Sequence, residues 1–326
     1  MKNRMELFEN APVWKAYFTI SLPVVFSMVV TLVYNMVDTF FVAGTQNASL
    51  VAGVSQCTPL FMLMLALGDI FGLGGSSLIS RLFGQKDDET ARNVSGFCFY
   101  AAIVCGLIVT VLMFAFQGPV LRVLGATSDT LKYASQYYFW IALGAPLIIL
   151  SLTPSNIIRT EGLAMQSMIA SVAGSILNIV LDPIFIFTLG MGAGGAALAT
   201  VLGYVLSDVL LVCYILRKSR HLTVSIRHAR VARKFVTSVF VIGIPASLTN
   251  LMQSYNIMVL NRHLISYGPK AVAAMGITMK VNMIIMMILV GFAFGAQPLI
   301  GYAYGAGNRS RLRAVIRFDL LVEVGF

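Results

Sequence analysis

The sequence predicts an all-α integral membrane protein. Of its 326 residues, 58% are hydrophobic and only 11% are charged, and the mean hydropathy is +0.85. A soluble domain carries about a quarter charged residues, so this chain could not cover a water-exposed surface. Its apolar residues fall in stretches long enough to cross a bilayer as helices, for which about 20 residues are needed. Strand-type alternation, which a membrane barrel requires, is absent.

Eight apolar stretches are long enough to span. We expect these helices near 15–39, 52–79, 94–116, 132–153, 163–189, 194–216, 235–260 and 272–301. A ninth stretch begins near 312 and reaches Phe326. Because about fifteen residues cannot span the hydrocarbon core, we expect about eight complete transmembrane helices plus part of a ninth.

The basic residues predict how the chain is oriented. With the N-terminus inside, eighteen Lys and Arg residues lie on the inner side and four on the outer side, as the positive-inside rule requires. The apolar run after Lys2 and Arg4 is too long for a signal peptide and contains Asp38. We therefore expect a multi-pass protein of the cell (inner) membrane with a cytoplasmic N-terminus. Topology also explains the net charge of +10, so no nucleic-acid partner is expected.

The chain repeats itself at an offset of 221 or 222 residues. Ile20–Pro23 returns as Ile242–Pro245, and the glycine-containing segment 74–84 returns as 295–305. Six spans, an even number, separate the two starts, so the two units are parallel repeats, which are typical of transporters. We expect a six-helix lobe over 1–218, a basic cytoplasmic linker over 219–234 and an incomplete second lobe over 235–326. The linker is either a plain cytoplasmic loop or a contact for anionic lipid headgroups.

Several other classes of protein are disfavoured. The segment Gly190–Gly195 matches a dinucleotide fingerprint, but it joins two apolar spans and predicts a tight extracellular turn. A phosphate-binding loop is missing, and His221, His228 and His263 lack ligand spacing. The four cysteines lie inside apolar segments and indicate packing. We expect neither an enzyme nor a bound cofactor.

Charged residues within spans are costly and tend to mark ion or proton pathways. The candidates here are Asp38, Asp69, Asp182, Asp208 and Lys280. Each could instead be a structural partner at a helix interface. Asp69 has mainly glycines near it, and Asp208 is predicted to lie nearer a helix end, so these two are the weaker candidates.

The fifth span carries the densest polar group. Asn178 and Asp182 are four residues apart and share one helix face. Pro183 follows and removes the usual hydrogen-bond partner of the Ile179 carbonyl. These oxygens suit Na⁺, or a carboxyl that takes up a proton in apolar surroundings. The alternative is a kinked helix whose polar groups bond to a neighbouring helix.

Two further spans carry polar stripes at helical spacing. These are Thr31, Tyr34, Asn35 and Asp38 in the first span, and Thr200, Tyr204, Ser207 and Asp208 in the sixth. Three stripes within six spans predict a shared hydrated pocket.

Seven short segments together resemble the multidrug and toxic compound extrusion (MATE) family. They are Leu22–Pro23 with Val37–Ala43, Gly74–Arg81 with Phe83–Gln85, Asn156–Gly162, Gln297–Tyr302, and Tyr304–Ala306. The likeness runs along the whole chain and is greatest to the prokaryotic branch with an acidic first span. Members have twelve spans, so the resemblance implies that this chain is C-terminally incomplete.

The resemblance implies two lobes around a central cavity that exchange a drug for Na⁺ or H⁺. The matching residues of the N-terminal lobe's cation site are Asp38, Asn178, Asp182 and Thr200, which would also hold Na⁺ in a sodium-coupled protein, with Tyr137 nearby. Tyr34, Asn35 and Asn156 are candidate supporting residues. The implied partners are small-molecule drugs and membrane lipids, and we expect a monomer.

Three alternatives stay open. A flippase for a lipid-linked saccharide, from the same superfamily, would need several basic residues in its cavity, and the spans offer mainly Lys280. An integral-membrane enzyme would need a catalytic constellation near an interface, and none is visible. The third alternative is an inactive fragment.

Overall fold

A computed structural model describes residues 3–264 and 269–325, without the side chains of 3–5, 250–251, 253–277 and 279–281. Within these residues the regular secondary structure is entirely helical. The α-helices in chain order are α1 (Asn3–Glu9), α2 (Val13–Gly44), α3 (Ala48–Gln56), α4 (Thr58–Gly84), α5 (Asp88–Ala115), α6 (Gln117–Val123), α7 (Leu131–Arg159), α8 (Ala164–Pro183), α9 (Gly192–Lys218), α10 (Arg233–Leu264), α11 (Pro269–Gly305) and α12 (Arg309–Gly325).

Seven helical segments of the described chain are long and apolar enough to cross a membrane. They are α2, α3 together with α4, α5, α7, α8 with the turn that follows it, α9, and Asn282–Gly305 of α11. The predicted all-helical, multi-pass membrane fold is therefore confirmed. The predicted span at 235–260 coincides with α10, but many of its side chains, like that of Lys280, lie outside the described residues.

Local sequence explains several helix ends. Asn47 Oδ1 accepts a hydrogen bond from Leu50 N at 3.1 Å and caps α3, and Asp87 caps α5 through Thr90 N in the same way. Between α8 and α9 the chain reverses at Gly190 and Gly192, which have φ of +65° and +54°. Glycine adopts this left-handed backbone without steric cost, so the chain turns at Gly190 and α9 begins at Gly192. The predicted extracellular location of this turn stays a prediction.

The internal repeat is visible in the helix contacts. Gly74 of α4 lies so close to α10 that a Cβ atom would overlap the Val239 carbonyl and contact Gly243. At the equivalent place Gly295 of α11 lies against Ser21 of α2. Ser21 and Gly243 are themselves repeat partners, so α4 packs on α10 in the way that α11 packs on α2.

The helices α4 and α11 also contact each other at equivalent positions. A Cβ at Gly84 would overlap the Tyr302 carbonyl, and one at Gly305 would overlap the Arg81 carbonyl. Nearer the middle, Ser76 Oγ lies 3.4 Å from Gln297 Oε1, and Gln297 Nε2 donates to Leu73 O at 3.2 Å. Close packing between these helices thus joins the N-terminal part of the chain to 282–305.

The short helix α1 reinforces this junction at the end of the bundle that carries the N-terminus. Tyr302 Oη donates to Glu9 Oε1 at 2.7 Å, and Lys86 Nζ lies 3.2 Å from the same oxygen. The Tyr302 hydroxyl and then the Lys86 ammonium hold the pKa of Glu9 below its ordinary value. Arg311 donates to the Ala11 carbonyl at 2.9 Å, and Phe8 is buried beside Tyr302. These contacts join α1 to α11 and α12 at this end of the bundle.

Replacing Gly305 by alanine is expected to destabilise the protein by about 1–3 kcal/mol, the usual cost of overpacking. The new methyl group would overlap backbone of α4 rather than a flexible side chain. Thermal unfolding of the purified protein measures the effect. The matched control is Gly118→Ala, where a Cβ meets nothing within 4 Å and the change should stay within about 1 kcal/mol. Equal melting of both variants would contradict the prediction.

Candidate cation and proton site

Four helices bring most of the predicted polar residues to one place. Asn178 and Asp182 lie on α8 and Thr200 lies on α9, with exposed fractions of 2%, 0% and 4%. Asn178 Nδ2 donates to Thr200 Oγ1 at 3.3 Å, and Thr200 Oγ1 donates to the Ala196 carbonyl at 3.0 Å. The amide nitrogen of Asn178 is thus hydrogen-bonded, whereas its amide oxygen has no partner among the described atoms.

The centre of the site is a pair of carboxyl groups. Asp38 of α2 and Asp182 of α8 lie within hydrogen-bonding reach of each other when one of them carries a proton. Asp38 Oδ1 and both carboxyl oxygens of Asp182 are buried and have no hydrogen-bond partner among the described atoms. Two ionised carboxylates side by side repel each other and have lost their water. The pair is therefore suited to hold a shared proton, a bound cation, or both in turn.

Tyrosine side chains surround the carboxyl pair. Tyr34 of α2 lies near Thr200 and interacts electrostatically with Asp38, and Tyr137 of α7 interacts electrostatically with both Asp38 and Asp182. Tyr204 of α9 interacts with Tyr34 and with Tyr137. Phenolic hydroxyls both donate and accept hydrogen bonds, so this ring of side chains can follow a change of charge at the carboxyl pair.

Small residues and an irregular turn position these helices. Gly174 of α8 and Gly203 of α9 lie backbone against backbone, with no room for a Cβ atom on either. Directly after Pro183 the chain forms a π-helical turn, Ile184–Thr188, rather than simply ending. Such turns are rare and are found frequently at functional sites. This turn was not predicted, and the expected freeing of the Ile179 carbonyl stays a prediction.

The donor set fits a hard monovalent cation or a proton. The atoms available are oxygens of Asp38, Asn178, Asp182 and Thr200, three of them without a partner on at least one oxygen. Carboxylate and carbonyl oxygens suit hard cations, whereas soft metals prefer thiolate or imidazole. Within the described residues no group of three or more His, Cys, Asp or Glu side chains could hold a metal ion. Na⁺ and H⁺ both fit this site.

Two of the predicted supporting residues do not join the pair. Asn156 is buried on α7, where its Oδ1 accepts from Arg159 Nη1 at 3.3 Å and its Nδ2 donates to Leu152 O at 2.8 Å. These bonds place Asn156 in the polar cluster of Arg159, and its supporting role at the cation site stays a prediction. Asn35 is half-buried beside Tyr34 on α2, and the described contacts of its side chain do not connect it to the carboxyl pair.

Arg159 corrects part of the topology argument. Arg159 is one of the eighteen basic residues that the sequence places on the inner side, but it lies in the last turn of α7 and is only 6% exposed. Its guanidinium donates to Ser167 Oγ at 3.2 Å and to Ser155 Oγ at 3.3 Å, and it interacts electrostatically with Asp69. Asp69 therefore belongs to this buried cluster. The guanidinium has structural partners on α4, α7 and α8, and it is not a surface charge.

Asp208 lies ten residues before the last residue of α9, compared with eight residues before the end of the predicted span 194–216. Asp208 is 4% exposed. Tyr204, one turn away, belongs to the predicted polar stripe of the sixth span. Its position between Asp208 and the other tyrosines could not be predicted from that stripe and is seen only in the tertiary structure.

Known proteins resemble the chain along nearly its whole length. The sequence model of the MatE family matches residues 23–184 and 245–326. The multidrug export protein MepA of Staphylococcus aureus (strain NCTC 8325 / PS 47) is 34% identical over 318 residues, which cover 98% of this chain and 70% of that protein.

Solved structures of MATE transporters have the same helical fold as this chain. The outward-facing conformation of a multidrug resistance MATE family transporter of the MOP superfamily superposes with a TM-score of 0.90 at 31% identity, covering 98% of this chain and 71% of that one. The crystal structure of MATE in complex with MaD3S gives 0.92 at 30% identity, with 98% and 72% covered. With a matching family model, a relative above 30% identity and the same helical fold, the chain belongs to the MatE family and is a MATE-type membrane transporter.

Proposed function

We propose that this chain acts as a secondary active multidrug exporter, a cation/drug antiporter in which Na⁺ or H⁺ entry drives expulsion of amphipathic, often cationic compounds. The observation that carries the proposal is the carboxyl pair Asp38–Asp182, in which Asp38 Oδ1 and both oxygens of Asp182 are buried. It stands beside Asn178 and Thr200, and no basic side chain joins it among the described residues. The multidrug export function of MepA supports the choice of substrate class.

The mechanism follows from charge. Two adjacent ionised carboxylates in apolar surroundings are unfavourable unless a cation or proton is bound between them. Na⁺ or H⁺ binding neutralises the pair and allows α2 and α8 to pack with less repulsion. Coupling to a drug then requires only that the drug prefer one of the two facing states and the cation the other.

The proposal includes an arrangement in the membrane. The lobe 1–218 holds the coupling site, 219–234 is the cytoplasmic linker, and 235–326 belongs to the second lobe. The N-terminus lies in the cytoplasm, the location is the cell (inner) membrane, and the transporter is a monomer. Glu161 contacts the start of this linker: its Oε1 accepts hydrogen bonds from Ser219 Oγ and His221 N, both at 2.9 Å.

Ethidium efflux from proteoliposomes under an imposed Na⁺ gradient, pH gradient or neither tests the proposal and identifies the ion. If Na⁺ is coupled, Thr200→Val should raise the Na⁺ concentration for half-maximal efflux about tenfold, since the loss of one ligand worth about 1.4 kcal/mol is one decade of affinity. Thr200→Ser keeps the hydroxyl and should behave like the parent. Absence of efflux under both gradients, despite verified insertion, would contradict antiport and direct attention to lipid-linked substrates.

A further inference from the structure

The carboxyl group of Asp208 has no role in the mechanism above. It lies near the middle of α9, where a charged side chain is costly in a spanning helix. Both its oxygens are buried and have no hydrogen-bond partner among the described atoms. An ionised carboxylate in such a place, without a cation or hydrogen-bond donors, is strongly unfavourable. In the conformation described here the group is therefore best accommodated as a neutral acid that carries a proton.

The surroundings of Asp208 connect it to the candidate cation site. Tyr204 lies one turn away on the same face of α9 and interacts electrostatically with Asp208. Tyr204 in turn interacts with Tyr34 and Tyr137, which adjoin Asp38. Tyr204 therefore stands between Asp208, one helical turn away, and the tyrosines that adjoin the carboxyl pair.

Other titratable groups on the neighbouring helices are engaged elsewhere. On α8, Asp182 is paired with Asp38 of α2. On α7, Tyr137 faces the carboxyl pair, and Arg159 bonds to Ser155, Ser167 and Asn156. Within the described residues, Tyr204 is the titratable side chain recorded beside Asp208. A proton that reaches Asp208 from the site would therefore pass by way of Tyr204.

We propose that Asp208 is a second proton-binding site, separate from the carboxyl pair, which takes up and releases one proton in each transport cycle through Tyr204. The inference rests on the proposed function, since it assigns a further step to the same antiporter. The ligand is H⁺, because the described residues place a single carboxyl group here, without the second carboxylate and the amide oxygen found at the Asp38–Asp182 site. A purely structural Asp208 would keep its proton throughout the cycle.

The first test is infrared difference spectroscopy of the purified transporter with and without ethidium. The C=O stretching band of a buried protonated carboxyl group should change when ethidium binds, and this change should be lost in Asp208→Asn. The control is Asp129→Asn, at an exposed position, which should keep the parental spectrum. Identical carboxyl bands in the parent and in Asp208→Asn would overturn the inference.

The second test counts protons. Calorimetry of ethidium binding in buffers of different ionisation enthalpy should show one proton fewer exchanged by Asp208→Asn than by the parent, and an unchanged count would overturn the inference. If Asp208→Asn does not fold, Tyr204→Phe is tested instead. This variant keeps the Asp208 carboxyl group but should exchange protons more slowly than the parent. An unchanged rate of proton exchange would also overturn the inference. Loss of the proposed function itself would be recognised separately, since efflux would then persist in both Asp38→Asn and Asp182→Asn.

Discussion

Replacing either Asp38 or Asp182 by asparagine is expected to abolish gradient-driven ethidium efflux. Each change keeps the side-chain size but removes one of the two adjacent charges that a proton or Na⁺ would neutralise. Coupling free energies between sites are typically 1–3 kcal/mol, or about 5- to 150-fold in affinity. We expect a loss of gradient-dependent accumulation at the upper end of this range, measured in proteoliposomes with each gradient in turn.

The matched control for this experiment is Asp129→Asn, an exposed residue between α6 and α7. It changes the net charge by the same amount and should leave efflux unchanged. The variants should also insert and melt like the parent, because the neutral amide relieves repulsion within the pair. Near-parental efflux in both Asp38→Asn and Asp182→Asn would refute the proposed coupling site.

Replacing Arg159 by methionine is expected to give the largest loss of stability, about 3–5 kcal/mol, which is the usual cost of removing one partner from a buried charged cluster. The change removes the donors to Ser155, Ser167 and Asn156 and leaves the neighbouring Asp69 carboxyl without the opposite charge of the guanidinium. The midpoint of thermal unfolding measures the effect.

Arg122→Met is the control for this prediction. Arg122 is exposed in the last turn of α6, and substitutions at exposed positions usually stay within about 0.5 kcal/mol. If the midpoint of Arg159→Met equals that of Arg122→Met, the buried cluster does not stabilise the fold as argued. Efflux is a second readout. An Arg159 variant that folds retains the carboxyl pair, so we expect it to retain gradient-driven efflux.

Much of the architecture was predictable because a bilayer constrains a chain strongly. Backbone polar groups must be satisfied within each spanning segment, so long apolar stretches specify helices without any knowledge of their neighbours. The polar stripe positions Asn178 and Asp182 could be assigned to one helix face from their spacing of four residues. The family resemblance added Tyr137, which lies outside those stripes and interacts electrostatically with both carboxyl groups.

Other features could not be read from spacing. Arg159 follows an apolar span and precedes Thr160-Glu161-Gly162, a pattern that a loop residue and a buried residue share equally. Its burial depends on the serines of two helices, and Asn156 is drawn into that cluster for the same reason. The π-helical turn after Pro183 depends on how α8 meets α9, because proline alone does not specify whether a helix ends, kinks or changes its hydrogen-bond pattern.

Hydropathy, charge placement and helical period are properties of single segments, and they determined the membrane class, the approximate spans and the polar faces of this protein. Which polar faces meet is a property of several segments at once, and only the tertiary structure decided it. Asp38 and Asp182 are 144 positions apart in the chain, and they become a pair because α2 packs on α8 while Gly174 and Gly203 let α8 approach α9. The physical reason is that side-chain contact depends on helix packing at close range, which no single segment of sequence encodes.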